Sequence, residues 1–114
     1  MENSNELFVL WTNADLMTSE HMVMMYITNA IKRGWWEKIT LIVWGATSKL
    51  VAENEDIQLR IRDAQDLGIH VSACIACARN LGTTEKLQEL DIELISWGVP
   101  LTEIIKEGKH LITI

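Results

Sequence analysis

The chain has 114 residues, 48% hydrophobic and 23% charged, with a formal net charge of −6. That length and composition support one domain over residues 1–114 with a core that needs no disulfide staples. The acidic balance and the scattered basic residues argue against nucleic acid as a partner, and the strongest apolar run, residues 39–46, is too short to cross a membrane.

Short apolar runs alternate with helical patterns along the chain. Residues 7–11, Leu-Phe-Val-Leu-Trp, predict a first strand. Thr18 or Ser19 is placed to cap a helix in which Met22, Val23, Tyr26, Ile27, Ala30 and Ile31 recur at helical spacing, ending at Lys32-Arg33-Gly34. The run 39–44 predicts a second strand, followed by a strap carrying Leu50 and Val51. A helix from about Glu55 turns Ile57, Ile61, Ala64 and Leu67 inward and stops at Gly68. Residues 69–73 read as a third strand that leads into a short helical turn closing at Gly82. Thr83 or Thr84 opens another helix with Leu87 and Leu90, and residues 92–95 make a fourth strand. Pro100 suits the first turn of a helix running through Ile104 and Ile105 to Gly108, and residues 110–114 finish as a fifth strand.

Strands without polar alternation, separated by helices, imply a sheet buried on both faces. The predicted fold is therefore α/β, a three-layer α/β/α sandwich around a five-stranded, mainly parallel sheet of flavodoxin-like appearance. In such sheets ligands gather beyond the carboxyl ends of the strands. Four loops compose that edge: Thr12-Asn13-Ala14-Asp15, Trp44-Gly45-Ala46-Thr47, the segment from Cys74, and Ser96-Trp97-Gly98-Val99. Trp11, Trp44 and Trp97 fall at strand ends, as core filling or as a hydrophobic rim.

Cys74 and Cys77 are the only cysteines. Residues 1–6 are polar and acidic, unlike a signal peptide, so a cytoplasmic location is expected, where thiols serve reactive chemistry more often than bridging. A thiol between a strand's carboxyl end and a helix start meets unpaired N–H groups and the helix dipole, which favour thiolate. The N–H groups of Ala76 and Cys77 are candidates for that task, and Arg79 for added positive charge. Cys77 is open to two readings, a partner thiol for Cys74 or a small buried hydrophobe. One Cys-x-x-Cys supplies only two metal ligands, so no metal is expected. His70 is expected to be half-buried and structural, and His21 lies on the first helix. The apolar Met22, Met24, Met25 and Tyr26, with an exposed Trp35-Trp36 pair, point to self-association.

Several chemistries of this architecture do not match. The first loop lacks the glycines of a dinucleotide or flavin site. The phosphatase spacing of cysteine to arginine would fall on Asn80, and a thioredoxin pair would come after an earlier strand. The segment Gly68-Ile69-His70-Val71-Ser72-Ala73-Cys74-Ile75-Ala76-Cys77-Ala78-Arg79-Asn80-Leu81-Gly82 instead resembles the cysteine segment of the DsrE/DsrF-like sulfur-relay family. Trp44-Gly45 and Ser96-Trp97-Gly98-Val99-Pro100, together with length and element order, extend the likeness over nearly the whole chain. The resemblance implies a small sulfurtransferase or carrier that takes sulfane sulfur as a persulfide on Cys74 and hands it to a partner thiol. It implies sulfur donor and acceptor proteins as partners, a homotrimer or homohexamer, and no cofactor. The pocket residues that follow are Thr12, Asn13, Trp44, Gly45, Ala76, Arg79, Trp97 and Gly98. Cys77 departs from the family pattern, where a small residue is usual. A Cys74/Cys77 dithiol redox or redox-sensing protein and a non-catalytic binding oligomer remain as alternatives.

Overall fold

In this computed structural model residues 5–114 are described, and the expectation about the acidic start falls in part outside them. Strands β1 (Glu6–Trp11), β2 (Lys38–Val43), β3 (His70–Cys74), β4 (Glu93–Ile95) and β5 (His110–Thr113) form one sheet in the order β4-β3-β2-β1-β5. Every pairing is parallel, so the mainly parallel sheet expected from the sequence is wholly so.

The steps from β1 to β4 all move one way across the sheet, and the step from β4 to β5 returns past the rest. Right-handed connections put the helices of the first three steps on one face and the returning helix on the other. The buried side chains divide accordingly. Leu7, Val9, Trp11, Leu41, Val43, Val71 and Ala73 pack against the helices of the first three connections. Phe8 and Ile42 face Trp97 and Ile104 on the opposite side, with Trp44, Ile95 and Leu101 packed around them. Among the described residues that second face carries one helix, α7 (Gly98–Lys106).

The first connection departs from expectation at its start. Asp15, not Thr18 or Ser19, is the cap: its carboxylate accepts from the Thr18 N–H and Oγ1, both at 2.9 Å. The helix begins with α1 (Leu16–Thr18), widens into a π-helical stretch over Ser19–Met24 and continues as α2 (Met25–Lys32). A π-turn holds more residues than an α-turn, so it rotates the following side chains out of the 3.6-residue phase. Met24 is therefore buried, and Met22, expected inward, is 42% exposed.

The expected strap is also a helix, α3 (Ala46–Glu53), and α4 (Glu55–Asp66) follows directly. The buried residues of α3 are Thr47, Ser48 and Val51, so it shows no apolar period to read. Thr47 Oγ1 ties it to the sheet by donating to the Trp11 carbonyl at 2.8 Å. Leu67, expected inward, lies beyond the last turn of α4 and is exposed. After β3 come α5 (Ile75–Leu81), closed by Gly82 in the left-handed conformation, and α6 (Thr84–Glu89). Of the two tryptophans expected to be exposed, Trp35 is, whereas Trp36 is half-buried and donates to the Tyr26 hydroxyl at 3.0 Å. Among the described residues, no helix is long and apolar enough to cross a membrane.

Candidate functional site

Adjacent strands β3 and β4 send the chain to opposite faces of the sheet, β3 into α5 and β4 into α7. Their carboxyl ends therefore part to form the crevice where parallel sheets take ligands. Cys74 closes β3 and is the N-cap residue of α5; Trp97 is the N-cap residue of α7. The sequence expects both at the carboxyl edge of the sheet, where they lie.

By strand alternation Cys74 follows Ser72 toward the α7 side, opposite Val71 and Ala73, and as the N-cap residue of α5 its thiol also meets Cys77. It is paired with Ile95 across the β3–β4 ladder. On the other side the β2–β3 ladder ends one step earlier, at Val43↔Ala73, and Trp44 follows β2. Only 6% of Cys74 is exposed, whereas Cys77, one helical turn on, is partly exposed. Both are free thiols, and they are neighbours.

Burial pushes the Cys77 thiol above its ordinary pKa, and the neighbouring Cys74 thiol adds to the rise as a hydrogen-bond partner and a like charge. The backbone N–H groups of Gly45 and of Cys77 itself pull the other way, without overcoming burial. Gly45 reaches this position as the N-cap residue of α3 with φ 68° and ψ −128°, a combination open in practice to glycine. A Cβ added there would meet nothing within 4 Å, so the demand is for conformation and not for space.

Other expected site residues fall less close to the chemistry. Thr12 and Asn13 turn their backbone N–H groups to the Ile114 carbonyl at 2.6 and 3.0 Å, fastening β1 to the chain beyond β5. Strand β2 separates them from β3. Trp11, one of the three strand-end tryptophans, is core filling on the opposite face, its Nε1 donating to the Asn13 carbonyl and to Ser19 Oγ. Ala76 and Arg79 are exposed on α5, and Gly98 is exposed at the start of α7. His21 is exposed on the π-helical stretch.

His70, expected half-buried, is exposed, and its Nε2 stands 3.2 Å from Glu93 Oε1. The same carboxylate oxygen accepts from Ser72 Oγ at 2.7 Å, and Ser72 Oγ accepts from Trp97 Nε1 at 2.8 Å. Sequence reasoning passed over Ser72 and Glu93. The available signal was the one hydroxyl in β3, two residues from Cys74 and hence on its face. Among the described residues, no group of three or more His, Cys, Asp or Glu side chains is placed to hold a metal ion.

No protein-family model matches the chain, and no curated protein matches it. Among solved structures, the MTH1491 protein of Methanobacterium thermoautotrophicum superimposes with a TM-score of 0.70 at 18% identity, covering 99% of this chain and 100% of its own. The YchN protein of E. coli does so with a TM-score of 0.68 at 12% identity, covering 100% of both. At those identities the likeness is one of fold. The conserved protein BT1422 of Bacteroides thetaiotaomicron, described as of unknown function, is 37% identical over 96% of this chain and 95% of its own, with a TM-score of 0.94. The chain belongs to the family of BT1422.

Proposed function

We propose that the protein is a cytoplasmic sulfur carrier, taking sulfane sulfur as a persulfide on Cys74 and passing it to the thiol of a partner protein. One observation carries the reading: at the switch point of the sheet, the Cys74 thiol has beside it a second thiol, Cys77, whose protonated form is favoured. The resemblance of residues 68–82 to the sulfur-relay segment supports the same assignment.

The chemistry follows from the two thiols. Cys74, having lost its proton to solvent, attacks the outer sulfur of a donor persulfide R–S–SH. A Cys74 S–S bond forms, the donor's S–S bond breaks, and the departing RS− takes the proton of Cys77. The new persulfide, more acidic than a thiol, returns its proton to Cys77. For transfer the persulfide takes that proton back, an acceptor thiolate attacks the outer sulfur of Cys74–S–SH, the Cys74 thiolate leaves, and Cys77 regains a proton from solvent, with no net oxidation. Cys77 is held toward the thiol, which suits it to give and take back the proton.

A homo-oligomer, a trimer or hexamer by the resemblance, belongs to the same proposal. It is supported by the single helix on the second sheet face and by Val99 and Ile105, exposed on that helix. A dithiol redox role is the second reading, favoured by the contact between the thiols.

Intact-mass spectrometry after incubation with inorganic polysulfide, on wild type, Cys74→Ser and Cys77→Ser, separates the readings. A gain of one sulfur, lost on reduction and absent only from Cys74→Ser, is the expected result. Loss of two hydrogens in the wild type without added sulfur would establish the redox pair instead. No mass change in any of the three would overturn both and leave a binding oligomer.

A further inference from the structure

Trp97 reaches backward over the sheet. Its Cα lies two residues beyond Ile95, the residue that pairs with Cys74, while its Nε1 ends on Ser72, two residues before Cys74. A strand advances about 3.3 Å per residue, so an indole joining those levels crosses the row that holds Cys74. Ser72 and Cys74 point to the same face by strand alternation, the face on which Trp97 packs. The burial agrees: Cys74 is 6% and Trp97 5% exposed.

The tether of this ring is specific. Ser72 has one hydroxyl proton and commits it to Glu93 Oε1 at 2.7 Å, which leaves a lone pair for the indole N–H at 2.8 Å. Glu93 is in turn held from outside by His70 Nε2 at 3.2 Å. A chain of side chains thus runs from solvent, through His70, Glu93 and Ser72, to the ring that spans the row of Cys74.

We propose that Trp97 is a movable roof over Cys74, and that Ser72 and Glu93 are positioning residues that act on the thiol by holding the roof shut. The proposal takes from the preceding section that Cys74 is the reacting thiol, and adds the side chains that decide when a donor or acceptor sulfur reaches it. A buried thiol meets a partner only when its cover opens, so the strength of this tether sets the fraction of time Cys74 is available.

The test is the rate at which iodoacetamide alkylates Cys74 in a Cys77→Ser background, with polysulfide uptake followed in parallel. Ser72→Ala removes the acceptor of the indole N–H, and Trp97→Phe removes the N–H while keeping an aromatic ring. Each should raise the alkylation rate roughly five- to tenfold, the effect of losing one buried hydrogen bond. Glu93→Ala should act in the same direction. Glu93→Gln, which still offers an oxygen to the Ser72 hydroxyl, should stay within about twofold of the parent. Trp36→Phe is the control: it deletes an indole N–H bond of similar length, to Tyr26, in the loop before β2, and should leave the rate unchanged.

An unchanged rate in Ser72→Ala and Trp97→Phe would overturn the roof, as would an equal acceleration in Trp36→Phe, which would signal global loosening. Alkylation needs no sulfane sulfur. Faster alkylation with no sulfur uptake would therefore remove the relay reading and keep the roof, whereas uptake at Cys74 with unaltered alkylation would do the reverse.

Discussion

Gly45 shows how one backbone conformation conditions a thiol on another element. Its N–H favours the thiolate of Cys77, against burial and the Cys74 thiol. Gly45→Ala forces a side chain into a region that costs of order 1–3 kcal/mol, which chemical denaturation will read as lost stability. It should also turn the N–H away, so in a Cys74→Ser background the midpoint of Cys77 alkylation against pH should move upward. Gly108→Ala, at φ 68° after α7, separates strain from the electrostatic effect: it should cost stability and leave the Cys77 profile in place. At this scale the sequence is most informative where a residue has a local reason to stand out. Cys74, Gly45 and Trp97 can each be read from strand-end position alone. The partnership of Ser72 with Glu93 cannot, because it depends on a register between strands 21 residues apart.

Elements whose buried face is apolar are read correctly, and those held by polar contacts are not. Strand β1 announces itself as an unbroken apolar run over residues 7–11, β2 and β3 as mostly apolar runs, and α4 by Ile57, Ile61 and Ala64. Helix α3 hides because two of its three buried residues carry hydroxyls, Thr47 bonded to the Trp11 carbonyl and Ser48 to Thr83. The first helix misleads in a different way, since its π-helical stretch breaks the period on which the reading depends. Its start rests on Asp15, whose carboxyl lies below the usual range because the Thr18 backbone N–H and then the Thr18 hydroxyl bond its charged form. A carboxyl with its pKa lowered in the fold stabilises above the usual carboxylate range and loses that contribution as pH falls through its folded value. The stability of Asp15→Asn should accordingly vary less over that acidic window than the wild type's, measured by urea unfolding at a series of pH values. An identical pH dependence in the two proteins would count against the cap.

For the molecule as a whole, the asymmetry of the two sheet faces governs association. One face is covered by the helices of three connections and the other by α7, which leaves Val99 and Ile105 in solvent. Sedimentation of the wild type should show an assembly larger than a monomer. Ile105→Glu should reduce its mass, because a carboxylate buried in an interface without a partner is costly. Identical sedimentation of the two proteins would place the contact elsewhere. Five strands separated by helices are legible in the sequence, and so is a fully covered parallel sheet. The order of the strands is not, because it is settled by which apolar edges meet once helices have docked, a matter of long-range packing with no local trace.

The order β4-β3-β2-β1-β5 has a consequence for the birth of the protein on the ribosome. Strands β2 to β4 each pair with the strand just made, so most of the sheet can assemble as the chain emerges. The other edge of β1 must wait for its partner, since Leu7 pairs with His110. Until β5 has emerged, the first strand thus keeps one row of amide and carbonyl groups open to any extended segment nearby. Strand β5 closes that edge in the same act that completes the core beneath α7, so the exposure of β1 to mispairing ends only when residues 110–113 have joined the sheet.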